Sequence, residues 1–303
     1  MDFQTRPFKA LGRVALSLAL PTSALLLATL TSAALPPRAA QASSLQATIA
    51  GGDRHSCAIK AGVLYCWGRN VEGQLGIGDN INRNTPVPVS GLGLGVTAVA
   101  AGWDHTCAIK GGALYCWGQN NDGQLGTGDN INRDTPVLVS GMGSGVTAVA
   151  AGASHTCAIK GGALYCWGAN GYGQLGGSDL STNTPVTNMD SGVTAVATGD
   201  DHTCAIKGGA LYCWGRNASG QLGGSNLFAN IPVTNMGSGV TAVAGGWFHS
   251  LGLKSDTCLY AWGGNAQGQL GNGSNTDSNT PVQVGNECGW GTLLRGIMPI
   301  VQR

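Results

Sequence analysis

VTAVAAGWDHTCAIKGGALYCWGQNNDGQLGTGDNINRDTPVLV, at residues 96–139, contains four short runs of strand-forming residues. The runs are VTAVA, HTCAI, ALYCW and TPVLV, and the last one follows a long loop. β-Branched and aromatic residues favour strands, whereas the glycine, asparagine and aspartate between the runs favour turns. The stretch therefore predicts a four-stranded antiparallel sheet.

This pattern occurs five times along the chain, and one histidine marks each unit, at positions 55, 105, 155, 202 and 249. Periods of about 50 residues indicate a solenoid, a propeller or an array, and four strands per unit select an all-β propeller. We predict the propeller over residues 43–285, followed by a C-terminal tail at 286–303. Its five blades are expected at about 45–95, 96–145, 146–192, 193–239 and 240–285.

The number of blades leaves ring closure open. Five units are compatible with a closed ring, with an open arc, or with a truncated version of a longer ring. After the last strand run, TPVQV, the tail begins like a sixth first strand at Trp290 and then departs from the pattern. An open arc would expose strand edges and one blade face.

Composition excludes several classes of protein. Glycine accounts for 51 of the 303 residues and charged residues for only 10%, against roughly 7% and 25% in average usage. The glycines do not recur at every third position, so the chain is not collagen-like. The formal net charge of +1 excludes a polybasic footprint, and no nucleic-acid partner is expected.

Residues 1–42 are predicted to be a secretory signal peptide. Three basic residues precede an apolar run at residues 14–30, and Ala-Gln-Ala at 40–42 supplies an A-x-A cleavage site. The alternative is an uncleaved membrane anchor, because residues 14–35 are nearly long enough to span a bilayer. The small residues that lead to the cleavage site favour removal, and the mature chain is then expected to have no membrane attachment. The prediction is a secreted, periplasmic or cell-envelope protein in an oxidising compartment.

The ten cysteines fit such a compartment. A two-residue Gly111-Gly112 turn between the second and third strand runs sets Cys107 opposite Cys116. Counting from the turn, this pair falls at a non-hydrogen-bonded position, where Cα atoms lie about 4.5 Å apart and a disulfide fits. The same count predicts four hairpin disulfides: Cys57–Cys66, Cys107–Cys116, Cys157–Cys166 and Cys204–Cys213.

The fifth unit supports this pairing, because both of its cysteine positions change together, to Leu251 and Ala261. Cys258 and Cys288 fall at the same end of that blade in antiparallel order, so we predict a disulfide that holds the tail. Zinc is the alternative ligand for paired cysteines. Two cysteines that face each other across a hairpin, at C-x8-C spacing and with no second cysteine pair nearby, fit a zinc site poorly. No metal or other cofactor is therefore expected.

Two motifs, A-G-x-x-H-[ST]-C-A-[IL]-K and C-W-G-x-N-x-x-G-Q-L-G, resemble the repeat of the regulator of chromosome condensation family over roughly residues 45–284. The cysteine-bearing version is similar to exported bacterial, alpha-tubulin suppressor-like members. The resemblance implies a propeller, usually seven-bladed in this family. Its best-known eukaryotic member implies guanine-nucleotide exchange on a small GTPase, although predicted export argues against a cytosolic partner. A similar secreted propeller implies a further alternative, inhibition of an exported hydrolase such as a β-lactamase.

Residues repeated in every unit are predicted to serve the scaffold. The histidines invite a metal hypothesis, but one per blade is better explained by local hydrogen bonds to the backbone. The tryptophan of each C-W-G or equivalent run is expected to pack between blades. The asparagine of each W-G-x-N run is expected to cap a turn through its side chain.

The positions that vary between units are better candidates for function. They are the two residues before each histidine and those around the repeated asparagine, and the chain direction places both loops on one rim. A constant scaffold with variable residues on one rim is typical of a binding surface, and aromatic residues are enriched at interaction hot spots. Neutral variation in solvated loops is the alternative. The candidate binding residues are Arg69, Trp103, Asp104, Tyr172, Asp200, Asp201, Arg216, Trp247 and Phe248.

The sequence contains no HExxH, no phosphate-binding GxxxxGK[ST] and no G-x-S-x-G motif. We therefore predict a protein that is not an enzyme and assign no catalytic residue. The predicted function is binding of a protein or glycan through the variable rim.

Overall fold

A computed structural model describes residues 48–177, 180–285 and 287–290, without the side chains of 230–235. The predicted signal peptide at 1–42 lies outside the described residues, as does the part of the tail at 291–303. Within the described part of the chain, no helix is long and apolar enough to cross a membrane.

The described residues form twenty strands in five four-stranded antiparallel sheets, and each sheet keeps the order of its strands along the chain. Blade 1 consists of β1 (Ile49–Gly51), β2 (His55–Lys60), β3 (Val63–Gly68) and β4 (Arg83–Pro88). Blade 2 consists of β5 (Val96–Ala101), β6 (His105–Lys110), β7 (Ala113–Gly118) and β8 (Arg133–Leu138). Blade 3 consists of β9 (Val146–Ala151), β10 (His155–Lys160), β11 (Ala163–Gly168) and β12 (Thr182–Met189). Blade 4 consists of β13 (Val193–Thr198), β14 (His202–Lys207), β15 (Ala210–Arg216) and β16 (Phe228–Met236). Blade 5 consists of β17 (Val240–Gly245), β18 (His249–Lys254), β19 (Leu259–Gly263) and β20 (Ser278–Gln283).

The predicted all-β propeller fold is confirmed, and the glycine turns set its register. Gly111 and Gly112 have φ angles of 58° and 78°, as a two-residue type I′ turn requires at both positions. The register that follows places Cys107 opposite Cys116. All five predicted disulfides are present, with Cα–Cα distances of 4.1 Å in the four hairpins and 4.3 Å for Cys258–Cys288.

Blade 5 shows how a hairpin holds without its disulfide, because Leu251 pairs with Ala261 at the equivalent position. We expect Cys107→Leu combined with Cys116→Ala to keep the fold and to lower the free energy of unfolding by at most about 2–3 kcal/mol, since the bridge closes only a short loop. Denaturant titration of this variant and of the unaltered chain measures the loss. An unchanged unfolding midpoint would show that the bridge does not stabilise the blade.

The hydrophobic core lies between consecutive blades. At the junction of blades 2 and 3, Ile109 and Leu125 pack with Trp167 of the following blade. Three further clusters occupy the other junctions in the same way. Because a central blade is covered on both sides, strands such as β6 are buried along almost their whole length, and no blade could bury its faces alone.

A polar network crosses each of these junctions. His55 Nε2 lies 2.8 Å from Thr106 Oγ1, Thr106 Oγ1 donates to the Gln74 carbonyl at 2.8 Å, and Trp117 Nε1 donates to the same carbonyl at 2.9 Å. A hydroxyl has one proton, so His55 Nε2 must carry the proton of its own bond to Thr106. We call this arrangement the junction network. Its four copies are His55–Thr106–Gln74–Trp117, His105–Thr156–Gln124–Trp167, His155–Thr203–Gln174–Trp214 and His202–Ser250–Gln221–Trp262.

The prediction for the histidines was therefore wrong about the partner, which is a hydroxyl of the next blade and not the local backbone. The asparagine prediction is confirmed. Asn120 Oδ1 accepts a bond from the Leu125 amide at 2.9 Å, and Asn120 Nδ2 donates to the Asp129 carbonyl at 2.9 Å. These bonds fix the long loop between the third and fourth strands.

The two ends of the blade series differ from the internal junctions. Trp67 of blade 1 is half-buried, whereas its four counterparts are fully buried. In blade 5, His249 is half-buried and Gln269 is exposed, whereas the equivalent histidines and glutamines of the other blades are buried. Among the described strands, none of blade 5 packs on blade 1 in the way that each blade packs on its successor. The described blades therefore form an open arc and do not close into a five-bladed ring.

Candidate functional site

The loops between the first and second strands of all five blades meet around one cavity on the axis of the arc. Its volume is about 390 Å³, and each blade contributes lining residues. Glycine lines it at the same position in each blade, because a Cβ at Gly102, for example, would collide with the His105 ring and with the Gly152 carbonyl. Larger side chains project into it where the sequence varies: Asp53, Trp103, Asp200 and Trp247.

Trp103 and Asp200 join two blades that are not neighbours. Trp103 Nε1, in blade 2, donates to Asp200 Oδ1, in blade 4, at 2.9 Å. The ring of Trp103 also lies beside Trp247 of blade 5, with centroids 6.4 Å apart and planes tilted by 56°. Aromatic pairs at this separation attract each other beyond their burial. Three blades therefore meet through side chains at the mouth of the cavity.

Arg216 joins this group from the adjacent loop. Its guanidinium lies 5.1 Å from the centroid of the Tyr172 ring and 5.5 Å from that of Phe248. It also pairs with Asp201, with Nη1 at 3.4 Å from Oδ2. Phe248 in turn contacts Trp247 edge to face, with centroids 6.4 Å apart. We call the whole group the rim cluster: Trp103, Tyr172, Asp200, Asp201, Arg216, Trp247 and Phe248.

Acidic charge concentrates in this cluster. Burial, and secondly the charge of Asp201, raise the pKa of Asp200 to about 6. Burial also raises the pKa of Asp201, against the opposing effect of its bond to Arg216. Asp200 is 7% exposed, and among the described residues no donor reaches its second oxygen, Oδ2. The cavity thus contains a buried carboxylate with an unused acceptor.

The RCC1-like domain model matches residues 16–293 of the chain. The chain belongs to the RCC1-like domain family. Human WBSCR16 is a similar solved structure, with a TM-score of 0.69 and 25% identity, covering 78% of this chain and 66% of that one. Prp20p from Saccharomyces cerevisiae gives a TM-score of 0.68 and 24% identity, and the match covers 77% of this chain and 62% of that one. Yeast RCC1 (Prp20) bound to Kap60 gives a TM-score of 0.68 and 22% identity, and the match covers 78% of this chain and 63% of that one. This chain therefore spans less than two thirds of the length of each, and no curated protein matches it.

The RCC1-like scaffold brings together seven of the nine candidate binding residues predicted from the sequence, as the rim cluster. The other two form a separate pair at the junction of blades 1 and 2. There, Asp104 forms an ion pair with Arg69 and accepts a bond from Gln74 Nε2 at 2.7 Å. The charges of Arg69 and Asp104 are therefore neutralised by each other within the fold. The aromatic residues of the rim cluster remain accessible, with Trp103 43% and Trp247 51% exposed.

Sequence reasoning missed one residue of this RCC1-like site. Asp53 lines the cavity, and it occupies the same position in its loop as Trp103, Asp200 and Trp247 occupy in theirs. That shared position was the available signal. In the structure, the carboxylate of Asp53 pairs with its sequence neighbour Arg54 at 3.1 Å.

Proposed function

We propose that this RCC1-like chain is a non-catalytic binding protein that takes a protein partner on the rim cluster. One observation carries the proposal: side chains at positions that vary between the units converge on the axial cavity from blades 1, 2, 4 and 5, namely Asp53, Trp103, Asp200 and Trp247. The repeated polar residues are already used in the junction networks, but the varying aromatic residues leave their rings accessible.

The residue types favour a protein partner. Tryptophan, tyrosine and arginine dominate the binding energy of protein interfaces, and they cluster near the centre of the contact. In the rim cluster, Trp247 stands at the cavity mouth with Tyr172 and Arg216 on one side. A similar propeller also binds proteins: the structure of yeast Prp20p is described with its binding to Gsp1p and histones, and the same protein was solved bound to Kap60.

The location that we propose is outside the cytoplasm, in the cell envelope or the secreted fraction. Five disulfides join all ten cysteines, which indicates an oxidising environment. The predicted signal peptide at 1–42 supports the same location. The partner is accordingly expected among exported proteins.

Capture from envelope and secreted fractions tests the proposal. The full chain is immobilised beside two variants, Trp247→Ala and Trp290→Ala. Trp290 is a matched control, since it is 46% exposed, close to the 51% of Trp247, but its amide bonds to the Thr257 carbonyl at the hairpin end of blade 5.

We expect a specific protein to be retained by the unaltered chain and by Trp290→Ala, and its retention to fall at least tenfold with Trp247→Ala, because a central hot-spot residue is worth about 2 kcal/mol or more. Equal retention by all three would contradict the rim proposal. A captured hydrolase that loses its activity would narrow the function to inhibition, and retention by a glycan column alone would replace the protein partner with a glycan.

A further inference from the structure

We propose that the axial cavity accepts one basic side chain of the protein partner, with Asp200 as its counter-ion and the rings of Trp103 and Trp247 as its walls. This inference rests on the proposed function, since it assigns the chemistry that the rim cluster would recognise at its centre. The volume of about 390 Å³ lies near the lower end of ligand pockets, roughly 300–1,000 Å³. A cavity of that size holds a single long side chain.

The charges that line the cavity are negative. Asp53 and Asp200 project into it, and no lysine or arginine lines it in the described part of the chain. The nearby Arg216 is already engaged by Asp201 and by two aromatic rings. Arg54 pairs with Asp53 but extends into solvent, with its side chain 71% exposed. Low-dielectric walls around carboxylates of one sign concentrate a negative potential that attracts a cation.

Asp200 has the geometry of a waiting counter-ion. Its Oδ1 is held by the Trp103 indole, which fixes the plane of the carboxylate. Its Oδ2 accepts no hydrogen bond from the described residues and is open to the solvent of the cavity. An incoming ammonium or guanidinium would pair with this open oxygen through a charge-assisted hydrogen bond.

The aromatic walls favour the same ligand. Trp103 and Trp247 lie 6.4 Å apart and tilted, and both rings are about half exposed toward the cavity mouth. A cation over the face of tryptophan is attracted by the ring quadrupole, most strongly where water is displaced. The negative potential of the cavity would repel an anion. A neutral apolar side chain would leave the Asp200 carboxylate without a counter-ion.

Binding of such a cation should depend on pH. Asp200 is neutral below its pKa of about 6, which burial and the charge of Asp201 raise. The other charged groups facing it are Asp53, whose charge acts in the same direction, and Arg216, which opposes both. From these values we expect affinity for the cation to be about tenfold weaker at pH 5 than at pH 7.5.

The test uses two peptides, acetyl-Gly-Lys-Gly-amide and its norleucine counterpart, which has a neutral side chain of similar length. Each is titrated into the purified full chain while tryptophan fluorescence is followed. Asp200→Asn keeps an acceptor for the Trp103 indole and removes the charge. Asp190→Asn makes the same charge change at an exposed position at the opposite end of blade 3.

We expect saturable binding of the lysine peptide to the unaltered chain and to Asp190→Asn, and at least tenfold weaker binding of it to Asp200→Asn. The norleucine peptide should bind the unaltered chain at least tenfold more weakly than the lysine peptide does. Absence of saturation at millimolar lysine peptide, or equal affinity for the two peptides, would overturn the proposal. Its failure is distinct from failure of the rim proposal. Partner capture that depends on Trp247, without lysine binding, leaves the rim as the binding surface and removes the cation.

Discussion

Replacing Trp117 with alanine is expected to lower the free energy of unfolding by about 3–5 kcal/mol, the range for removal of a large buried aromatic side chain. Trp117 is fully buried at the junction of blades 1 and 2, where its indole lies against Gly76. Its Nε1 is also one of two donors to the Gln74 carbonyl. The substitution therefore opens a cavity and removes a hydrogen bond together. Urea titration, followed by circular dichroism, measures the loss.

Trp67→Ala is the matched control for this prediction. Trp67 occupies the same position in blade 1 and sits in the same sequence context, but none of the described blades covers it and it is only half-buried. We expect its replacement to lower stability by less than half as much as Trp117→Ala. Equal losses in the two variants would mean that Trp67 is covered in solution, and the open-arc arrangement would then be wrong.

The difference between these two tryptophans marks the limit of what the sequence could predict. The hairpin register and the four hairpin disulfides follow from a two-residue turn, so counting residues outward from that turn, as from Gly111-Gly112, was sufficient. Repetition likewise identified the scaffold residues, because each unit supplies a comparison for the others. Trp67 and Trp117 nevertheless look alike in sequence, since burial between blades depends on which blades pack together.

The same reason explains which features of the candidate site were missed. The sequence predicted that the varying loops share a rim, because strand direction follows from strand order. The bond between Trp103 and Asp200 joins blades 2 and 4, and no local pattern encodes a contact across an axis. The histidine partners were missed in the same way, since His55 reaches a hydroxyl 51 residues away on the next blade.

The junction networks make the fold sensitive to acid. Burial lowers the pKa of His55 to about 4 and, with the charges of neighbouring histidines, the pKa values of His105, His155 and His202 to about 3. Each ring donates from Nε2, and its buried Nδ1 has no partner among the described residues. A proton added at Nδ1 of His55, His105 or His202 would therefore place a charge in the junction with no acceptor.

The direction of the pH effect follows from these values. Below pH 6.5 the histidines of the unfolded chain take up protons, whereas the folded chain does not until pH falls to about 4 or 3. Stability is thus fully present above pH 6.5 and is lost as pH falls. Asp200 and Asp201 act in the opposite sense, because their pKa values are raised and the folded chain takes up their protons first. The four histidines outnumber the two carboxyls, so we expect stability to fall as pH is lowered from 6 to 4.

Urea midpoints measured at pH 7.5, 6, 5 and 4.5 test this expectation, and two histidine variants assign the effect to the junctions. His105→Gln keeps an N–H donor toward Thr156 and removes the titrating ring, so it should reduce the pH slope by about one proton, near 1.4 kcal/mol per unit. His249→Gln makes the same change where the histidine is only half-buried and its pKa is lowered by burial alone, so its effect on the slope should be smaller. A midpoint that stays constant from pH 7.5 to 5, or equal slopes in the two variants, would show that the buried imidazoles are not the acid-sensitive groups.

Because the four networks join every pair of consecutive blades, their protonation should separate the blades from one another before any single hairpin unfolds. The disulfide within each of the first four hairpins would persist in the acid state.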